Sequence, residues 1–127
     1  MDIPQDLRYS PTHQWVRADG ELATVGITDF AQDELGEIVY LDLPSKGTAV
    51  QQGTKMGEVE SIKTVSELIS PVTGTVDEAN AAALDKPQLV NSEPYGAGWL
   101  LRVRLSDAGS DGLLSPAEYS AQTESGH

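Results

Sequence analysis

A succession of short β-type runs, separated by turn residues at close spacing, limits most strongly what this chain can fold into. "HQWVRADGELATVGI" reads as a hairpin around Asp19-Gly20, a two-residue turn signal. After it, Ala23, Val25 and Ile27 alternate with Leu22, Thr24 and Gly26. "EIVYLDLP" is a strand from Glu37 closed by Pro44. "TAVQQG", "KMGEVES", "TVSELISP" and "GTVDEAN" follow, with Gly47, Gly53 and Gly57 as punctuation. In "WLLRVRL", Trp99, Leu101, Val103 and Leu105 share one face, and Arg102 and Arg104 the other. These runs lie too close together for the dozen or more residues that a parallel crossover needs. The expected fold is therefore mainly β, a small barrel or sandwich. "GTAV" at Gly47 and "GTV" at Gly74 form a weak internal echo, each opening a strand.

Helices are expected to be few and short. "TDFAQDELG" has Thr28 as N-cap and Gly36 as C-cap, with Asp29 suited to the helix dipole. "NAAALDK" must stop before Pro87. At the C-terminal end, Ser115, Pro116 and Glu118 spell a capping box, and Leu114 and Tyr119 a hydrophobic staple. That helix is expected over about 115–124, with the tail "TESGH" frayed.

At 127 residues the chain is expected to form one domain, 1–127, with its β core over about 9–105. There is no cysteine, which removes disulfides and thiolate chemistry. The net charge of −12 argues against nucleic acid and anionic membranes as partners. It suits plain solubility, or steering toward basic surfaces on larger partners. No apolar run approaches the ~20 residues of a membrane span. "MDIPQDLRY" shows no signal-peptide pattern. The expected location is cytoplasmic, or the mitochondrial matrix behind a removed transit peptide.

Four lysines are present, and only Lys63 has β-type runs closing on it from both sides; Lys46, Lys55 and Lys86 sit where loops are expected. Val59 and either Val65 or Leu68 can pack inward, leaving Glu60, Ser61, Thr64 and Ser66 polar. "SIKT" then forms the connection. It lacks Gly and Asn, so a type I turn fits better than one needing positive φ. Such a tip projects Lys63 into solvent, with Glu58, Glu60 and Glu67 expected to hold it protonated. A lysine acting as a base or Schiff-base amine needs burial or neighbouring cations instead. Two readings remain open from spacing alone: a substrate for covalent modification, and a surface lysine protecting a sheet edge.

"ESIKTVSELISPVTGTV" resembles the lipoyl-lysine hairpin of the H protein of the glycine cleavage system. "YSPTHQWVRADGELATVGITDFAQDELGEIVYLDLP" is similar to that family's N-terminal block, and "PQLVNSEPYGAGWLLRV" to its C-terminal block. Together they cover most of residues 9 to 105 in the family's order. Biotin carriers place Met on both sides of the modified lysine, whereas Ile62 and Thr64 flank Lys63. Lipoyl domains of 2-oxoacid dehydrogenases typically have Asp before the lysine and lack the "GIT…AQ…LG" block.

The resemblance implies a barrel-sandwich hybrid of the lipoyl/biotinyl-carrier kind, with short flanking α-helices. It implies lipoate in amide linkage to Lys63, framed by Glu60, Ser61, Ile62 and Thr64. It also implies a carrier that catalyses nothing alone. The arm takes an aminomethyl group from glycine at a pyridoxal-phosphate glycine decarboxylase and visits a tetrahydrofolate-dependent aminomethyltransferase. A dihydrolipoyl dehydrogenase then reoxidises it, and a lipoyl-attaching enzyme loads it initially. One departure stands out. The family usually has Glu between His and Trp in "THQWV", where this chain has Gln14. That glutamate is associated with holding the loaded arm in a cleft, and a neutral amide cannot pair a cationic amine. Glu34 and Glu67 are candidates to supply the charge, against a reading as ordinary solvated carboxylates. Other expectations are a lipoate relay to other lipoyl domains and an unmodified acidic interaction domain. No metal site is expected, because His13 and His127 lack ligand spacing and Asp29, Asp33, Glu34 and Glu37 do not follow a calcium-loop pattern. Trp15, Tyr40 and Trp99 are expected to fill the core.

Overall fold

The computed structural model of the chain describes residues 3–106 and 112–124. Its elements in chain order are β1 (Arg8–Tyr9), β2 (Gln14–Asp19), β3 (Leu22–Ile27), α1 (Asp29–Leu35), β4 (Ile38–Asp42), β5 (Ala49–Val50), β6 (Lys55–Ser61), β7 (Val65–Ile69), β8 (Gly74–Ala79), α2 (Ala81–Asp85), α3 (Leu89–Ser92), β9 (Leu101–Leu105) and α4 (Pro116–Glu124). Two antiparallel sheets result, one in the order β1-β2-β3-β9-β8-β5 and one in the order β4-β6-β7. The main core draws on both. Val25, Val76, Leu101 and Val103 come from the larger sheet, and Leu41, Val59 and Leu68 from the smaller. A second cluster joins Leu7, Tyr9, Trp15 and Tyr119.

Local chemistry explains most boundaries. Thr28 Oγ1 accepts the Ala31 N–H and opens α1, and Gly36 closes it at φ +79°, a conformation open mainly to glycine. In β6 a register shift between Lys55 and Gly57 lets Met56 turn inward, out of step with Val59. The echoed segments pair with each other, Ala49 opposite Thr75 and Val50 opposite Gly74. The capping box at α4 forms as read: Ser115 N–H donates to Glu118 Oε1 at 2.8 Å, and Glu118 N–H to Ser115 Oγ at 3.2 Å. The helix runs through Thr123 and Glu124; the rest of the tail lies outside the described residues.

Some expectations are corrected. The β2–β3 turn is Gly20-Glu21, because Asp19 pairs with Leu22, and Gly20 takes the positive φ. Lys55 opens β6 rather than lying in a loop. Trp99 precedes β9 instead of lying in it: it is half-buried against the cluster of Leu7, Tyr9, Trp15 and Tyr119, with the Arg102 guanidinium 4.2 Å from its ring centre, and Leu100 beside it is fully buried. Tyr40 is 58 % exposed and is not a core residue. Helix α3 was not foreseen. Its four residues are too few to show a period.

Trp15 sits directly opposite Gly26 in the β2–β3 ladder. A Cβ at Gly26 would lie 2.6 Å from Trp15 Nε1. The indole cannot slide away, because it is fully buried and donates to Pro94 O at 2.8 Å. Gly26→Ala is therefore expected to destabilise the fold by about 1–3 kcal/mol. Urea unfolding reads this as a lower midpoint, and an unchanged midpoint refutes it.

Candidate functional site

The lysine tip is built from Ser61 to Thr64, beyond the last β6–β7 pair, Glu60 with Val65. Ser61 shapes it. Its hydroxyl accepts the N–H groups of Lys63 and Thr64, each at 3.2 Å, and its own N–H donates to Thr64 O at 2.8 Å. Ser61 is thus buried, where it was expected to stay on the polar surface. Among the described residues His13 alone, of the non-glycines, has positive φ, so the tip contains none. Ile62 N–H donates to Glu37 O at 2.9 Å and ties the tip to the start of β4. Ile62, Lys63 and Thr64 are exposed, as is Glu60 on the outer face. Leu68, not Val65, packs inward; Val65 is 58 % exposed.

Of the carboxylates expected to keep Lys63 protonated, two are drawn to another lysine. Glu58 and Glu67 lie 2.9 and 4.0 Å from Lys55 Nζ. Among the described residues no carboxylate is within ion-pair distance of Lys63. Instead the lysine stem lies beside Gly36, where a Cβ would stand 3.4 Å from Lys63 Cε.

A cleft of about 330 Å³ opens between α1, β2 and the β6–β7 hairpin. Ile27, Phe30, Leu35 and Leu68 give it apolar walls. It brings together the three residues singled out from sequence: Gln14 from β2, Glu34 from α1 and Glu67 from β7. Glu34 and Glu67 are exposed, while Gln14 is 3 % exposed. Gln14 Oε1 accepts the hydroxyls of Ser10 at 2.6 Å and Thr12 at 2.5 Å. These separations belong to O–H···O bonds, which fixes the amide orientation. Among the described residues no buried polar side-chain atom is left unpartnered, so with its oxygen occupied the amide NH₂ is the group Gln14 offers to the cleft. Among the described residues, no three His, Asp or Glu side chains converge as metal ligands.

Behind the cleft wall runs a hydroxyl chain that sequence reasoning missed. Tyr119, from α4, lies 2.6 Å from Thr28 Oγ1 and 2.8 Å from His13 Nδ1. Thr28 is fully buried, and among the described residues Tyr119 Oη is the one acceptor within reach of its hydroxyl proton, which assigns Thr28 as the donor. With Tyr119 accepting from Thr28, its own proton is assigned to His13 Nδ1 and the neutral imidazole to the Nε2–H tautomer. Burial raises the Tyr119 pKa to about 12, so it stays a phenol donor. His13 also stacks on Phe30 at 4.7 Å. The only sequence signal for Tyr119 was its staple position.

Burial lowers the His13 pKa below its ordinary value, with Glu34 opposing the shift. A proton arriving at Nδ1 would face the Tyr119 O–H and reverse the chain. The folded state therefore resists protonation that the unfolded state accepts at its ordinary pKa of about 6.5. Stability is expected to fall as pH drops through that value toward the lower folded pKa. His13→Asn tolerates the positive φ and removes the titration. Thermal melts of both proteins between pH 7 and 5 should show a steeper decline for wild type; parallel declines would refute the account.

The family model for the "Glycine cleavage H-protein" matches residues 7–126. Glycine cleavage system H protein from Rubrobacter xylanophilus is 54 % identical over 123 residues, covering 97 % of this chain and 96 % of that protein. The H protein of Nostoc punctiforme is 52 % identical over 125 residues, covering 98 % and 97 %. The crystal structure of a glycine cleavage system H protein from Mycobacterium marinum superposes with a TM-score of 0.90 at 41 % identity, covering 96 % of this chain and 99 % of that one. An H-protein match over nearly the whole chain, joined to the same β-rich architecture, places the chain in the glycine cleavage H-protein family.

Proposed function

We propose that this chain, acting as one domain, is the lipoyl carrier of the glycine cleavage system, with lipoate in amide linkage to Lys63. The observation that carries this reading is the tip itself. An exposed primary amine, free of carboxylate partners among the described residues, stands on a turn braced by Ser61 and by Glu37 O. Those residues fit the group, because an attaching enzyme needs an accessible amine on a defined backbone. When bound, lipoate supplies a reducible dithiol on a flexible arm. The chain's own residues hold the base of that arm and offer a cleft with apolar walls. Gln14 provides a neutral donor there, and Glu34 and Glu67 provide negative charge at its exposed edge.

On this reading the chain is not an enzyme. An exposed lysine lacks the burial that turns an amine into a nucleophile. Its partners are the pyridoxal-phosphate glycine decarboxylase, the tetrahydrofolate-dependent aminomethyltransferase, the dihydrolipoyl dehydrogenase and a lipoyl-attaching enzyme. It shares their compartment, the cytoplasm or a mitochondrial matrix. Tethering turns each visit into a local search at roughly millimolar effective concentration. The chain has no cysteine, so no thiol of its own exchanges with the arm. The lipoate-relay reading keeps only the Gln14 departure in its favour. The unmodified acidic interaction domain leaves the braced lysine without a task.

Intact mass after incubation with a lipoyl-attaching enzyme should rise by one lipoyl group, and Lys63→Arg should abolish the rise. No addition to wild type would sink the carrier reading. Gln14→Glu should add a charge facing the cleft and strengthen retention of a cationic loaded arm by severalfold. Protection of the arm from bulk reagents measures this, and equal protection in both proteins would show that position 14 does not touch it.

A further inference from the structure

Three residues, Gly36, Glu37 and Ile38, carry the base of the lysine tip, and one side chain outside the tip holds both ends of this segment. Asn91, in α3, donates from Nδ2 to Gly36 O at 2.9 Å and accepts the Ile38 N–H at Oδ1 at 2.8 Å. Nδ2 also donates to Gln32 Oε1 at 2.9 Å. Between the two anchors, Glu37 O receives the Ile62 N–H at 2.9 Å. At the head of the segment, Gly36 lies against the Lys63 stem with φ +79° and ψ −158°, a conformation reserved for glycine.

The residue type follows from this geometry. The anchor must donate at one end of the segment and accept at the other, from a short, rigid stem. An amide does both; a carboxylate only accepts, and an aliphatic side chain does neither. Among the described residues no other side chain bonds both ends.

We infer that Asn91 is a positioning residue for Lys63, acting through residues 36–38 to fix the direction in which the tip presents the lysine. The inference rests on Lys63 being the attachment point. Without Asn91 the Ser61 bonds still close the hairpin, but Glu37 O no longer offers Ile62 a fixed acceptor. An enzyme that meets the lysine must then select one direction from a wider set. That cost appears in KM, because the chemistry at Nζ is unchanged.

Two variants of the full chain test this. Asn91→Asp keeps the shape and the acceptor for Ile38 but loses the donor to Gly36 O. Asn91→Leu loses every side-chain bond. In both, hydrogen exchange of the Ile62 amide should quicken about tenfold, the scale of one lost hydrogen bond. The Leu100 amide, bonded to Val25 O at 2.8 Å in the core, should keep its rate. KM for lipoyl attachment should rise severalfold at constant kcat. Gln32→Ala, which removes Asn91's bond to α1 together with the Gln32–Asp29 bond inside α1 but leaves both anchors of the 36–38 segment, should leave Ile62 as in wild type. An Ile62 amide protected as before in both Asn91 variants overturns the inference. So does equal acceleration of Ile62 and Leu100, which would assign Asn91 to general stability. If wild type accepts no lipoate, the attachment reading fails by itself, while the exchange comparison still decides whether Asn91 governs Ile62.

Discussion

The buried run of hydroxyls from Thr28 through Tyr119 to His13 is the interaction on which the arrangement of the cleft depends. Each member belongs to a different part of the chain: the cap of α1, the C-terminal helix, and the turn before β2. Thr28 serves twice, as N-cap of α1 and as donor to Tyr119. The helix that supplies one cleft wall is thereby started by a residue locked to α4. Tyr119 is held in turn by stacking on Tyr9 at 4.7 Å, and Gln122 adds a bond to Pro11 O at 2.9 Å. Losing the phenol oxygen would strand a fully buried threonine hydroxyl, and stranding such a group costs about 1–3 kcal/mol. The C-terminal helix is therefore part of the cleft's support, although none of its described side chains lines the cleft.

The charge of −12 is distributed with a consequence for Lys63. Glu58 and Glu67 are drawn to Lys55, which the register shift at the start of β6 sets beside them. On the outer face Tyr40, Glu60 and Val65 stand in one row, so apolar surface lies next to the tip. An ion-paired lysine would have to break that pair before another enzyme could use its amine. Lys55 absorbs the nearby carboxylates, and Lys63 is left accessible.

What could be read from sequence was local and repetitive. Alternation gave the strands, Thr28 and Gly36 bounded α1, and Ser115 with Glu118 started α4, because each signal lies within a few residues of its effect. What could not be read was long-range. Nothing near Tyr119 announces a bond to His13, 106 residues away. Asn91 lies in a stretch without a periodic signal, and only the fold, through α3, sets it against the end of α1. Ser61 looked like a surface serine, but its hydroxyl replaces a backbone acceptor at the tip, and that burial has no period. Sequence places Glu58, Glu60 and Glu67 about Lys63 but does not show that Glu58 and Glu67 pair with Lys55. Proximity in sequence ignored the bulge that brings Lys55 to the same carboxylates.

Gln14, Glu34 and Glu67 together suggest how a carrier of this kind balances holding against release. A buried carboxylate at position 14 would attract a cationic arm through a medium of low dielectric, where charge pairs are strong. Gln14 removes that attraction from the floor of the cleft, and Ser10 and Thr12 keep its oxygen occupied. The charge that remains sits on Glu34 and Glu67, both exposed to solvent. Exposed pairs contribute about 0.2–1 kcal/mol and weaken with salt. On the carrier reading, shelter then comes mainly from the apolar walls, Phe30, Leu35 and Leu68, which do not discriminate strongly between charged and neutral arms. On the same reading such a cleft would hold each state of the arm loosely, which suits a group that must leave for one enzyme after another.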